Sequence, residues 1–177
     1  MHERWQSMTT DELAAAVCRE AALELERATE AIRHCLRQLS EVQVWQRPEP
    51  SMNSVGNLLL HLAGNVRQYF VSGIGGVKDV RDRPKEFTEN GPIAKAELLS
   101  RLETTIGEAA AALSEVDAHS LNAPRRIQNA DITALGAIFR SLPHYRGHVQ
   151  EIIHMTRRMV GDEYRFAGMP PEPSSVK

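Results

Sequence analysis

The sequence predicts an all-α protein, a four-helix bundle with a long crossover between its second and third helices, and three observations carry that expectation. Apolar residues recur every three or four positions over four long stretches. Aromatic residues make up only 5% of the chain while Ala, Leu and Glu are plentiful, which argues against a β-sandwich. The length of 177 residues matches one domain of about 100–200 residues, so residues 1–177 are expected as a single unit.

The first helix is expected over about 10–40. Thr9 and Glu12 stand in capping-box spacing at its start. Leu13, Val17, Ala21, Leu25, Ala28, Ile32, Leu36 and Leu39 then form one apolar face. Pro48 and Pro50 break the pattern. The second helix is expected over about 54–71, capped by Asn53 or Ser54, with Val55, Leu58, Leu59, Leu62, Val66, Tyr69 and Phe70 facing the core. Residues 72–92 hold Gly73, Gly75, Gly76, Pro84, Gly91 and Pro92 without a sustained period, and read as a long connection. The third helix follows over about 93–116, carried by Leu98, Leu102, Ile106, Ala109 and Leu113. A second connection, 117–130, contains Asn122, Pro124 and Asn129. The fourth helix is expected over about 131–160 with Asp131 as N-cap and Leu135, Ile138, Leu142, Val149, Ile152, Ile153 and Met159 as its apolar face. Residues 161–177, with Pro170, Pro171 and Pro173, are expected as an extended tail.

Charge and composition exclude several function classes. Lys and Arg number 21 against 23 Asp and Glu, a net charge of -2, so the basic excess that nucleic-acid binding requires is missing. The longest purely apolar runs are six and five residues, Leu13 to Cys18 and Ala109 to Leu113, far short of the roughly 20 a membrane span needs. The polar start Met1-His2-Glu3-Arg4 lacks a signal-peptide core, and a cytoplasmic location is expected. Cys18 and Cys35 fall on one predicted helix about 25 Å apart, beyond disulfide reach, and read as reduced core residues.

The placement of seven histidines is the most informative feature. His144 and His148 are four apart, about 40° from each other on a helix and one turn above the other, so both rings can reach one metal ion. Glu151 extends the same polar stripe, which runs between Ala137 and Met155. Such a stripe suits either solvated residues or a cleft between helices, and periodicity alone does not separate the two. A catalytic zinc-type site uses three protein ligands plus an open position. The third candidate is His61, which shares a helix face with Ser54, Asn57, Asn65 and Gln68, all able to supply supporting hydrogen bonds. Pro143, directly before His144, is expected to kink or interrupt the fourth helix. His2, His34, His119 and His154 are assigned to no site; His119 falls in a predicted loop and His154 points about 120° away from His148.

Other chemistries fail on their motifs. Glu151-Ile152-Ile153-His154 is a single Glu-x-x-His, whereas a di-iron bundle requires a second copy. There is no His-Glu-x-x-His and no Gly-x-Ser-x-Gly, and Gly73-Ile74-Gly75-Gly76 lacks the Lys and hydroxyl of a P-loop.

Asn57-Leu58-Leu59-Leu60-His61-Leu62-Ala63-Gly64-Asn65-Val66-Arg67-Gln68, together with His144-Tyr145-x-x-His148-Val149-x-x-Ile152, resembles the DinB/YfiT-like superfamily, whose members are regarded as metal-dependent enzymes. Arg81-x-Arg83-x-x-Glu86-Phe87 is similar to a DinB-like branch catalogued as a domain of unknown function. The resemblance implies a four-helix bundle, often a homodimer, with one nickel or zinc ion held by His61, His144 and His148. It also implies a small-molecule substrate, since some relatives are transferases or isomerases that use low-molecular-weight thiols. Related sequences carry Gly-Gln after the second His of the pair. Here Gln150-Glu151 places a carboxylate where that Gln would align, making Glu151 a candidate base, fourth ligand or support for the ligands. Three neutral imidazoles leave the ion its full double charge, which activates a water or a thiol near neutral pH. The expected function is therefore a metal-dependent hydrolase or thiol transferase. The alternative is a non-catalytic helical metal-binding or dimerisation protein.

Overall fold

The structure, a computed structural model, describes residues 8–167. His2 and the prolines at 170, 171 and 173 lie outside the described residues. The described chain is mostly helical, with one two-stranded antiparallel sheet. Its elements are α1 (Thr10–Gln38), α2 (Glu41–Trp45), α3 (Val55–Val66), α4 (Arg83–Thr88), α5 (Lys95–Ser114), α6 (Ala118–Asn122), β1 (Pro124–Ile127), β2 (Ala130–Thr133) and α7 (Ala134–Val160). No helix among the described residues is long and apolar enough to cross a membrane.

The start signals behave as the sequence predicts at α1 and α3. Thr9 and Glu12 make both bonds of a capping box, and Ser54 caps α3 with Asn57 returning the second bond. Cys18, Ala21, Leu25, Ala28, Ile32, Cys35 and Leu36 of α1 are buried against Leu58, Leu62, Leu102, Leu113, Val149 and Ile152 in one continuous core. Burial pushes both thiols above their ordinary pKa, which keeps them protonated and inert. Helix α1 packs on α5 and α7, and α3 packs on the same two. Leu13 departs from the expected face: it is 55% exposed, and Ala14 takes the buried position.

The two connections are more structured than their composition suggests. Helix α3 does not end near Val71. It continues as a π-helical segment, Arg67–Ile74, whose wider turn the apolar spacing does not register. Within the expected loop 72–92, Asp82 caps α4 by accepting from Lys85 N, and Pro84 occupies the first turn, where its missing N–H costs nothing. Trp45 Nε1 donates to Ile93 O at 3.0 Å, and its ring lies against Gly91, whose φ of +77° and close approach leave no room for a side chain. That contact fixes the end of the crossover.

Residues 117–130 are not a plain connection either. Asp117 caps α6, which places His119 on a short helix, and β1 and β2 form a hairpin in which Ile127 pairs with Ala130. Gln128 and Asn129 make its two-residue turn, both at positive φ (50° and 64°), the geometry of a type I′ turn. Asp131 is therefore a strand residue, bound to Arg126 at 2.9 Å, and the N-cap of α7 is Thr133. Helix α7 runs through Pro143 uninterrupted, with the proline exposed. Residues 161–167 do not extend away. A turn at Gly161–Glu163 brings Arg165 back to α1, where its N–H donates to Gln38 Oε1 at 2.7 Å and its carbonyl accepts from Gln38 Nε2 at 3.1 Å.

Candidate metal centre

His61 sits in the second turn of α3, and His144 and His148 stand one turn apart on α7. Two buried polar bridges fix how α7 lies against its neighbours at that level. Ser141 Oγ donates to Asn65 Oδ1 of α3 at 2.9 Å, and the Tyr145 hydroxyl meets Thr29 Oγ1 of α1 at 2.8 Å. Buried polar groups without partners are costly, so both bridges favour a single register. In that register the three imidazoles face one another. Ring centroids are 5.1 Å apart for His61–His144, 5.1 Å for His61–His148 and 4.6 Å for His144–His148, each pair near perpendicular.

One ligand atom from each of the three rings lies within 4.8 Å of the other two, so the group can hold a metal ion. The two Nε2 atoms of His61 and His144 are 2.9 Å apart. Two nitrogens on a tetrahedral ion at about 2.0–2.1 Å would stand about 3.3 Å apart, so the rings need separate by only a few tenths of an ångström. The donor set suits zinc, nickel or another borderline divalent ion. Burial, followed by repulsion from the neighbouring His148, His61, Arg81 and Arg83, pushes the His144 pKa down to about 4. This imidazole is neutral near pH 7, the state a metal requires.

Each outer histidine has its Nδ1 on a carboxylate, leaving Nε2 for the shared centre. His148 Nδ1 donates to Glu151 Oε2 at 2.7 Å, on the same helix. His61 Nδ1 donates to Glu86 Oε2 at 2.9 Å, a residue of α4 from the crossover. Such carboxylates fix ring orientation and raise the basicity of a metal-ligating nitrogen. Glu86 is in turn gripped by Arg81, with Nε on Oε1 at 2.7 Å and Nη2 on Oε2 at 2.8 Å. Arg81 Nη2 also comes within 3.1 Å of His61 Nδ1; both are donors, and the carboxylate between them is the acceptor that joins them. Burial opposes the charge on Glu86, but the bonds from Arg81 and His61 outweigh it and hold its carboxyl below the ordinary range.

The supporting residues differ from those expected on the face of α3. Ser54 caps the helix, Asn65 binds Ser141, and Gln68 accepts from Arg81 Nη1 at 2.8 Å; none hydrogen-bonds to His61. Asn57 acts at one remove, donating to the carbonyls of Glu86 and Glu89 at 2.9 and 2.8 Å and so anchoring α4. Gly64 makes room for the whole arrangement. A Cβ there would lie 2.0 Å from Glu86 Oε1 and 2.9 Å from Arg81 Nε. Periodicity misses Arg81 and Glu86 because they lie off the long helices; Asp82 followed by Pro84 was the readable sign of a helix there. His34 and His154 lie apart from the cluster. The His34 ring meets the Arg165 carbonyl, and His154 and His119 are exposed.

A crystal structure titled as the conserved protein of a locus from Enterococcus faecalis has a similar fold, with a TM-score of 0.68, 16% identity, and coverage of 81% of this chain and 97% of that one. No curated protein matches the chain. Residues 12–173 match a family model described as a protein of unknown function, DUF1572, and the chain belongs to that family.

Proposed function

We propose that the protein is a divalent-metal-dependent enzyme of the DinB-like four-helix-bundle type, in which His61, His144 and His148 hold one zinc or nickel ion. The observation that carries this reading is the convergence of three histidine nitrogens within 4.8 Å, from helices 83 residues apart in sequence (His61 to His144). A structural zinc site closes its fourth position with a protein ligand, whereas three protein ligands leave it open for a reactant. When bound, the ion supplies a Lewis acid that makes a water or a small thiol give up its proton near neutral pH. The chain's own residues do the rest. Glu86 and Glu151 hold the His61 and His148 rings with Nε2 inward, Arg81 keeps Glu86 ionised, and the low pKa of His144 keeps that ring neutral.

Glu151 is given an orienting role rather than that of a base or a fourth ligand, because its Oε2 already accepts the His148 proton. The reaction classes that follow are hydrolysis and thiol transfer. With Cys18 and Cys35 buried in the core, a thiol would be a substrate and not a side chain.

The test is elemental analysis of protein purified without a His-tag, followed by titration with Zn²⁺ and Ni²⁺. One equivalent bound by the wild type, and loss of it in His148→Ala, is the expected result. Unchanged stoichiometry in the variant removes His148 from the site, and no uptake by the wild type leaves a helical protein without metal chemistry.

A further inference from the structure

The rings of His61 and His144 open onto a cleft of about 510 Å³, within the range of roughly 300–1,000 Å³ typical of small-molecule sites. Three of its lining residues are arginines, Arg81, Arg83 and Arg140, and none is an acid. Their charges are not equivalent. Arg81 is neutralised by its paired bonds to Glu86. Arg83 and Arg140 are exposed, and among the described residues neither has a carboxylate partner.

Separate elements place these two arginines at the cleft. Arg140 lies four residues before His144 on α7, one turn away on the same face. The Arg83 guanidinium stacks 5.0 Å over the ring of Phe87, and that ring lies 4.9 Å from the His61 ring. The β1–β2 turn lines the same cleft with Gln128 and Asn129, and Gln128 Oε1 accepts from the Tyr69 hydroxyl at 3.2 Å. A chain of net charge -2 has thus gathered uncompensated positive charge at the mouth of its three-histidine centre.

From this geometry we infer that the cleft takes a small organic oxyanion, its carboxylate or phosphate group held by Arg83 and Arg140 and its reacting end turned to the histidines. Guanidinium forks match the paired oxygens of both groups. The inference rests on the metal reading for its reacting end alone, because the anion clamp is made of residues that are not ligands.

Calorimetric titration of the full chain tests it, with succinate and inorganic sulfate as probes, with and without one equivalent of Zn²⁺, on the wild type and on Arg83→Gln/Arg140→Gln. At least tenfold weaker anion binding by the double variant, with zinc stoichiometry unchanged, is the expected result. A preference for succinate marks a carboxylate substrate, and a preference for sulfate marks a phosphate one. Equal binding by the two proteins, or binding by neither, overturns the inference. Arginine-dependent anion binding in a chain that takes up no zinc sustains it and removes the metal reading instead. Both arginines are exposed, so a melting temperature close to wild type separates lost binding from lost fold.

Discussion

His61 and His148 are each held by a carboxylate on Nδ1, but the two supports are built differently. At His148 the partner is Glu151, three residues along the same helix, with side chains 24% and 38% exposed. At His61 the partner is Glu86, from a separate segment 25 residues away, with side chains 5% and 9% exposed and Arg81 behind it at 4%. The first support is local and wet, and helix geometry alone sets it. The second is tertiary and dry, and exists only if the crossover docks on α3. The difference shows which half of the site depends on the whole fold. An ion pair taken out of water demands that both partners be present, whereas one left in water tolerates the loss of either.

Removing Glu86 should therefore produce the largest effect. Glu86→Ala leaves the Arg81 guanidinium buried without its carboxylate, and breaking a buried pair from one side costs about 3–5 kcal/mol. For a domain of this size that is a fall in melting temperature of roughly 6–20 °C. The double variant Arg81→Met/Glu86→Leu should recover much of the loss, because replacing both partners with apolar groups removes the unpaired charge. Urea denaturation of the three proteins measures this directly. A loss below about 1 kcal/mol in Glu86→Ala would mean that the crossover holds its place without the pair.

Gly64→Ala probes the same support from the helix side, with a smaller expected effect. In a helix that makes no close contacts, Ala is worth up to about 1 kcal/mol over Gly. Here the new Cβ would stand 2.0 Å from Glu86 Oε1, so the Arg81–Glu86 pair must move off α3 or the helix must shift. Overpacking of that kind costs about 1–3 kcal/mol. The sign of the change is the measurement: destabilisation places the crossover against α3, and stabilisation shows that it does not seat there.

The contrast between the two supports also explains what could be read in the sequence. His144, His148 and Glu151 were legible because a helix converts spacing into direction, and His61 because it shares a polar face of its helix with Ser54, Asn57, Asn65 and Gln68. The faces of α3 and α5 were legible for the same reason, and every apolar residue expected on them is buried. Glu86 was not, since its role depends on a contact with Gly64 and His61 that no local pattern encodes. The Arg81-x-Arg83-x-x-Glu86-Phe87 motif carried only a family resemblance and gave Glu86 no role. The hairpin escaped because its turn is Gln128-Asn129 and not the usual Asn-Gly, and because its strands are only four residues long. Asp131 looked like a cap because Asp favours that position, and Thr133, two residues on, competes for it with a hydroxyl.

Glu151 should give the smallest effect on stability and the most informative one on function. The carboxylate is part-exposed, so Glu151→Gln should change stability by no more than about 0.5 kcal/mol. The Gln carbonyl can still accept from His148 Nδ1, and water can reach the ring if it does not. Metal affinity should then fall by about tenfold, the low end of the roughly 10–100-fold typical for such partners, while Glu151→Ala, which removes the acceptor, should fall further. Zinc affinities of the two variants, taken by competition with a chromophoric chelator, separate orientation from charge. If both bind zinc as tightly as wild type yet lose turnover once a substrate is in hand, Glu151 moves protons and does not hold His148. In that case the local support would be no support, and His61 would be the only ligand whose orientation the chain enforces.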